Sequence, residues 1–300
     1  MLSSSTSAFR SQQRYRHEAM ATWFELRIDT TDADYAAQAS QEIFSRIDRL
    51  ESLLSRYRED SEVRQLGRLA PGEAMRLHPD TFACLRQALD LATATGGAFD
   101  PALGHLRPAH GVVANASTPR GRLLLDPEAG RVTCEGGPVH LDLGAIGKGY
   151  ALDRAAEVLR EWDLPHALLL AGGSSLLALA APPGTAGWEI GLTARQSIWL
   201  ADIALGASGS TVKGKHILDP RDGSPSHGFF RTWASAPSAA AADGLSTAAM
   251  LLERAELDQL ATRLPETGFA LIAAEERAEA LEPFGLFPLL GPISTSPRTE

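Results

Sequence analysis

Asp243 and Thr247 are two hard oxygen donors four residues apart. On a helix beginning near Ala241 they would face the same way, one turn apart. A carboxylate and a hydroxyl so placed suit Mg2+, which needs few protein ligands and completes its shell with phosphate and water. The competing reading is a first-turn acid that favours the helix start, beside a packing threonine. A second element, Gly144-Ala145-Ile146-Gly147-Lys148-Gly149, follows a short apolar stretch and precedes a helical pattern. Glycines let a ligand approach the backbone, a helix start favours anions, and Lys148 adds a charge, so the segment could cradle phosphate or pyrophosphate. Its spacing matches neither GxGxxG nor the Walker loop, and a tight turn built from small residues is the alternative.

Two further stretches carry suitable groups. His216 precedes Asp219-Pro220 and could act as a general base, or could be an ordinary surface histidine. Gly172-Gly173-Ser174 follows a buried strand, where small residues allow close approach. Neither Ser174 nor Ser208 lies in the GxSxG pattern of a nucleophile elbow.

The elements that must position these groups are mixed. Residues 23–28 alternate as a half-buried strand. Residues 34–54 carry Ile43, Ile47, Leu50 and Leu54 as one apolar helical stripe. Pro79 opens a helix that stops at Gly96-Gly97, with Phe82, Leu85 and Leu89 on its inner side. Arg122–Leu125 and Arg131–Cys134 form a hairpin around Pro127 and Gly130. Val139–Leu143 reads as a strand, followed by a helix over 149–161. Strands are expected at 167–170, 176–180, 188–192, 203–207, 216–218, 231–234 and 270–273, with helices over 241–253 and 255–264. Strands and helices do not alternate strictly, so the pattern is α+β rather than a doubly wound parallel sheet.

Composition excludes several classes. The 300 residues carry a net charge of −9, which argues against nucleic acid as the main partner. The two cysteines, Cys84 and Cys134, form no CxxC or Cys/His cluster, so a zinc site is not expected and a reducing compartment is. Residues 1–18 are basic and serine-rich without an apolar core, and read as a disordered leader. One domain is expected over 19–287, with a loose tail over 288–300. No apolar run approaches the roughly 20 residues of a membrane span, and the chain reads as cytoplasmic with no membrane anchor.

The order and wording of these stretches together resemble the ApbE family of FAD:protein FMN transferases. The matching segments are LDLGAIGKGYALDRAAEVL (141–159), ALLLAGGS (167–174), GKHILDPRDGSP (214–225) and APSAAAADGLSTAAMLL (236–252). AMATWFELRI (19–28), SRYREDSEVRQL (55–66) and GAFDPALG (97–104) match more weakly. The resemblance implies a two-lobed mixed sheet-and-helix fold with FAD between the lobes. It implies Mg2+ held by the Ala145 carbonyl, Asp243 and Thr247. It also places Lys148 near the FAD phosphates, makes His216 the proton acceptor, and lines the FAD site with Tyr57, Phe99, Asp100, Gly144, Gly172 and Gly173. The implied reaction moves FMN from FAD to a threonine hydroxyl of an acceptor protein and releases AMP. The chain departs from the family pattern in four places, one of them Ser210-Thr211 where an acidic and aromatic pair commonly follows Ser-Gly. It shows no lipobox cysteine, it has Ser174 after Gly-Gly, and only a short segment separates Ser208-Gly209 from His216.

Overall fold

The computed structural model describes residues 3–4, 12–102, 121–137, 139–209, 219–221, 228–273, 281–288 and 290–292. The first half runs β1 (Ser3–Ser4), β2 (Gln12–Ala19), β3 (Thr22–Asp29), α1 (Ala33–Leu54), α2 (Glu62–Leu66), β4 (Ala74–Arg76), α3 (Pro79–Ala94), β5 (Arg122–Asp126) and β6 (Arg131–Glu135). The second half begins with α4 (Gly147–Glu161), β7 (Ala167–Ala171), β8 (Ser175–Ala178), β9 (Trp188–Gly191), β10 (Gln196–Leu200) and β11 (Ile203–Gly209). It ends with β12 (Phe229–Ala236), α5 (Ala239–Ala249), α6 (Arg254–Arg263), β13 (Gly268–Ala273), β14 (Glu282–Gly285) and β15 (Leu290–Pro292).

The centre is an eight-stranded sheet in the order β14-β13-β12-β11-β8-β7-β3-β2. Each of its described pairings is antiparallel. The α+β class expected from the sequence is what the chain adopts. Period-2 alternation divides the buried strands between two apolar cores. Ala167, Leu169 and Ala171 of β7 face the helices, whereas Leu168 and Leu170 face a smaller sheet, β1-β9-β10-β15. The two cores thus lie on opposite faces of one central sheet. A third sheet, β4-β6-β5, carries the expected hairpin in register from Arg122↔Glu135 to Asp126↔Arg131.

The helical layer forms for local reasons. Asp32 caps α1 by accepting the Tyr35 N–H at 2.9 Å, and Ile43, Ile47, Leu50 and Leu54 are buried as the stripe requires. In α3 the inner face is Thr81, Cys84, Leu85, Ala88 and Leu91, while Phe82 and Leu89 are only half-buried. Small residues at 84 and 88 leave room for Leu85 and Leu91 on the inner face, and Phe82 and Leu89 sit at its flank.

Two boundaries differ from the sequence reading. Residues 12–18, expected in the leader, belong to β2, which pairs with β3 from Gln12↔Asp29 to Ala19↔Thr22. The strand escaped notice because its inward positions are polar. Tyr15 donates to the Ala33 carbonyl at 2.9 Å, and His17 meets Asp48 at 2.6 Å and stacks on Phe44. In the expected tail, Leu290–Pro292 pairs with β10. Val139–Leu143 is not a strand. Val139, Leu141 and Leu143 are buried alternately, but the segment joins no ladder, and the Asp142 N–H donates to the Pro101 carbonyl at 2.7 Å. Alternation records burial there, not pairing.

Candidate active site

The site is organised by α5, which is set unusually close to its neighbours. Its sequence, AAAADGLSTAA, presents small side chains on most faces. The neighbours answer with glycine. A Cβ at Gly149 of α4 would lie 2.0 Å from the Ala239 carbonyl oxygen, and one at Gly206 of β11 would lie 2.2 Å from that of Ala242. Backbone therefore meets backbone on both sides, and Asp243 is driven into the interior with only 3 % of its surface exposed.

A carboxylate buried that deeply must be fully partnered. Asp243 Oδ2 accepts from the Gly149 N–H at 2.9 Å and from Lys148 Nζ at 3.1 Å. Its Oδ1 accepts from the Ser175 hydroxyl of β8. One turn on, the Thr247 hydroxyl lies 3.3 Å from the Asp243 carbonyl and 3.2 Å from Ser208 Oγ of β11. Ser208 Oγ is also 3.0 Å from Ser246 Oγ. The i, i+4 pair read from the sequence does share a face, and that face looks onto β8, β11 and the start of α4.

The donor chemistry fits a hard divalent cation. Among the described residues the donors here are a carboxylate and hydroxyls, with no sulfur or imidazole. Among the described residues no group of three or more His, Cys, Asp or Glu converges, so an ion here would draw on Asp243, Thr247 and main-chain oxygen, the sparse set that Mg2+ accepts. The Lys148 ammonium on Oδ2 shows that the carboxylate accommodates positive charge in this place.

The glycine turn runs directly into α4. Ile146 holds the N-cap position without a side-chain cap. Asp243 supplies the missing acceptor from another helix, through the Gly149 N–H. Gly149 is therefore a packing glycine, while Gly144 is exposed and Ala145 half-buried at the opening of the turn. The small-residue reading of this segment therefore holds at Gly149.

The remaining expected residues fall in three places. Tyr57 is exposed, with the Arg56 guanidinium 4.8 Å from its ring centroid. Gly172 has φ +58°, donates its N–H to the Trp23 carbonyl at 2.7 Å, and leaves no room for a Cβ beside Thr22 Oγ1. Gly173 and Ser174 are half-buried next to Ser175. Phe99 is buried under Gly244 of α5 and belongs to the core. Its neighbour Asp100 turns back to accept the Ala102 N–H at 2.8 Å. His216 lies outside the described residues. Asp219 is bound by Arg221 at 2.6 Å, and Ser208 faces Ser246 and Thr247.

Sequence reasoning missed Ser175 and Asp153, and weighed Ser208 only as a nucleophile. The serines carry no signal of their own in sequence, because only the sheet register brings them opposite α5. Asp153 stands four residues after Gly149 and so on the same face of α4, which was a legible hint. It accepts the Ala239 N–H at 2.8 Å and the Ala240 N–H at 3.0 Å, and burial raises its pKa against the pull of those two bonds.

The sequence profile of the ApbE family matches residues 20–272, most of the chain. This protein belongs to the ApbE family. It is 24 % identical to the FAD:protein FMN transferase of Salmonella typhimurium, over 86 % of this chain and 83 % of that one. It is 27 % identical to the FAD:protein FMN transferase of Treponema pallidum, over 81 % and 79 %. The ApbE fold is also seen in the ApbE protein from Thermotoga maritima (TM-score 0.74, 24 % identity, 91 % of this chain and 96 % of that one). The flavin transferase ApbE from Vibrio cholerae superposes with a TM-score of 0.77 at 19 % identity, over 91 % and 96 %. Among the described residues of this ApbE chain, no helix is long and apolar enough to cross a membrane.

Proposed function

We propose that this chain transfers the FMN half of FAD to a threonine hydroxyl of an acceptor protein, releases AMP, and requires Mg2+. The observation that carries the reading is the meeting of Lys148, from the start of α4, with Asp243, one helical turn before Thr247 on α5, in a chain of the ApbE family. Mg2+ held by Asp243, Thr247 and the Ala145 carbonyl would neutralise charge on the pyrophosphate as its bridge breaks.

The chain's own groups have separate tasks. Lys148 and the first turn of α4 attract the FAD phosphates. The glycine turn at Gly144 and the Gly172-Gly173 turn, together with Tyr57 and Asp100, line the FAD site in this reading, while Phe99 stays in the core. His216 takes the proton of the acceptor hydroxyl. The threonine oxygen forms a bond to the phosphorus nearer riboflavin, the bond from that phosphorus to the bridging oxygen breaks, and AMP leaves with the electron pair. The same reading places the reaction in the cytoplasm, supported by Cys84 and Cys134 both being free thiols.

The test is incubation with FAD, Mg2+ and candidate threonine-bearing acceptors, followed by mass spectrometry of the acceptor and detection of AMP. An acceptor heavier by one FMN, with AMP released, is the expected result. Free FMN and AMP without acceptor would indicate a FAD pyrophosphatase. Bound FAD that never turns over would indicate a flavin-binding protein.

A further inference from the structure

Arg56 follows the last turn of α1, and Asp142 precedes the glycine turn by two residues. Their side chains meet at 3.1 Å (Nη1 to Oδ2) and are only 14 % and 15 % exposed. An ion pair so shielded from solvent constrains geometry far more than a surface pair does. Each partner then holds a second element. Asp142 Oδ1 accepts the Gly144 N–H at 2.9 Å, which fixes the opening of the turn that carries Ala145. Arg56 Nη2 donates to Tyr57 Oη at 3.1 Å, and the guanidinium lies against the Tyr57 ring. Tyr57 is 66 % exposed, so this contact limits the rotamers of a side chain that is otherwise largely in solvent.

We propose that Arg56 and Asp142 are a positioning pair, which sets the Tyr57 ring and the Gly144–Ala145 turn in fixed relation before FAD binds. The inference rests on the FAD reading above. Neither residue touches the reacting atoms. The pair acts by ordering two ligand-facing groups in advance, which lowers the entropy cost of binding. Its signature is therefore a weaker affinity for FAD with a smaller change in the rate at saturation.

The experiment measures the FAD dissociation constant by quenching of flavin fluorescence, and single-turnover transfer at saturating FAD. The proteins are wild type, R56M, R56K, D142N and the double variant R56M/D142N. R56M and D142N are each expected to weaken FAD about tenfold, the size of one lost charged hydrogen bond. R56K, which keeps the charge but not the two-pronged, stacked guanidinium, should fall between wild type and R56M. The double variant should be no weaker than the worse single, because both singles break one linkage. Wild-type affinity in R56M or D142N, or losses that multiply in the double variant, would overturn the pairing. If R56M does not fold, D142N and Y57F decide the matter, and unchanged affinity in both overturns it. A wild-type chain that does not bind FAD at all sinks the FAD reading, and the positioning role with it. Wild-type binding with unaffected variants sinks the positioning role alone.

Discussion

Asp243 and Asp153 cap each other's helices. Asp243 of α5 accepts the Gly149 N–H at the start of α4, and Asp153 of α4 accepts the Ala239 and Ala240 N–H groups at the start of α5. The helix pair is locked in one register by two carboxylates, Asp243 buried and Asp153 half-buried. The residue proposed to hold the cation is thus also part of the frame.

Asp243→Ala should therefore cost stability as well as activity. It leaves the Gly149 N–H, Lys148 and Ser175 without their acceptor. Breaking a buried charged network of this kind costs roughly 3–5 kcal/mol, readable as a fall in the urea midpoint. Asp243→Asn keeps one acceptor oxygen and should fold better, yet lose Mg2+-dependent turnover and Mg2+ binding by calorimetry. A folded D243N with an unchanged Mg2+ response would remove Asp243 from the proposed ligand set.

Gly149→Ala tests the close approach of α4 and α5. The new methyl would fall 2.0 Å from the Ala239 carbonyl oxygen, so one helix must move. Overpacking of this sort costs roughly 1–3 kcal/mol. Gly147→Ala, where a Cβ meets nothing within 4 Å, is the control and should be close to neutral. Equal stability of the two variants would contradict the packing assigned to Gly149.

Asp153 gives a pH dependence with a definite sign. Burial raises its folded pKa above the unfolded value of about 3.9. The folded state therefore binds the proton more tightly than the unfolded state does. The contribution to stability is fully present below the unfolded pKa and is lost as pH rises through the folded one. Asp153→Asn does not titrate, and its amide turns a donor toward a backbone N–H, so it should be less stable near neutrality by about 1–3 kcal/mol. The stability gap between wild type and D153N should narrow as pH rises from about 4 and then level off. A gap that widens over that range would reverse the sign.

The β2–β3 loop stores backbone strain. Met20 and Ala21 have φ of +52° and +56°, the left-handed pair of a two-residue hairpin in which glycine is favoured at the second position. Ala21→Gly should relieve the Cβ clash and raise stability by about 1 kcal/mol, a net of strain released against chain entropy gained by the unfolded state. Chemical denaturation of the purified variant measures it, and a lower midpoint would refute the strain.

Much of the architecture was legible because burial imposes periodicity. The stripe of α1, the strands around Ala167–Leu170 and Trp188–Leu192, and the helix bearing Asp243 were all readable from spacing. The polar edge strand β2 was not, because its inward residues satisfy hydrogen bonds instead of filling a core. Val139–Leu143 misled for the opposite reason, alternating without a partner strand.

By itself the sequence determined the α+β class, the i, i+4 relation of Asp243 and Thr247, and the glycine segment before α4. These follow from local geometry, which a helix or strand fixes wherever it lies. Only the tertiary structure decided that Asp243 would be buried, that Ser175 and Ser208 would stand opposite it, and that Arg56 would reach Asp142. Those contacts join residues distant in the chain. They depend on sheet register and on how closely two helices can approach, and the packing of the whole chain sets both.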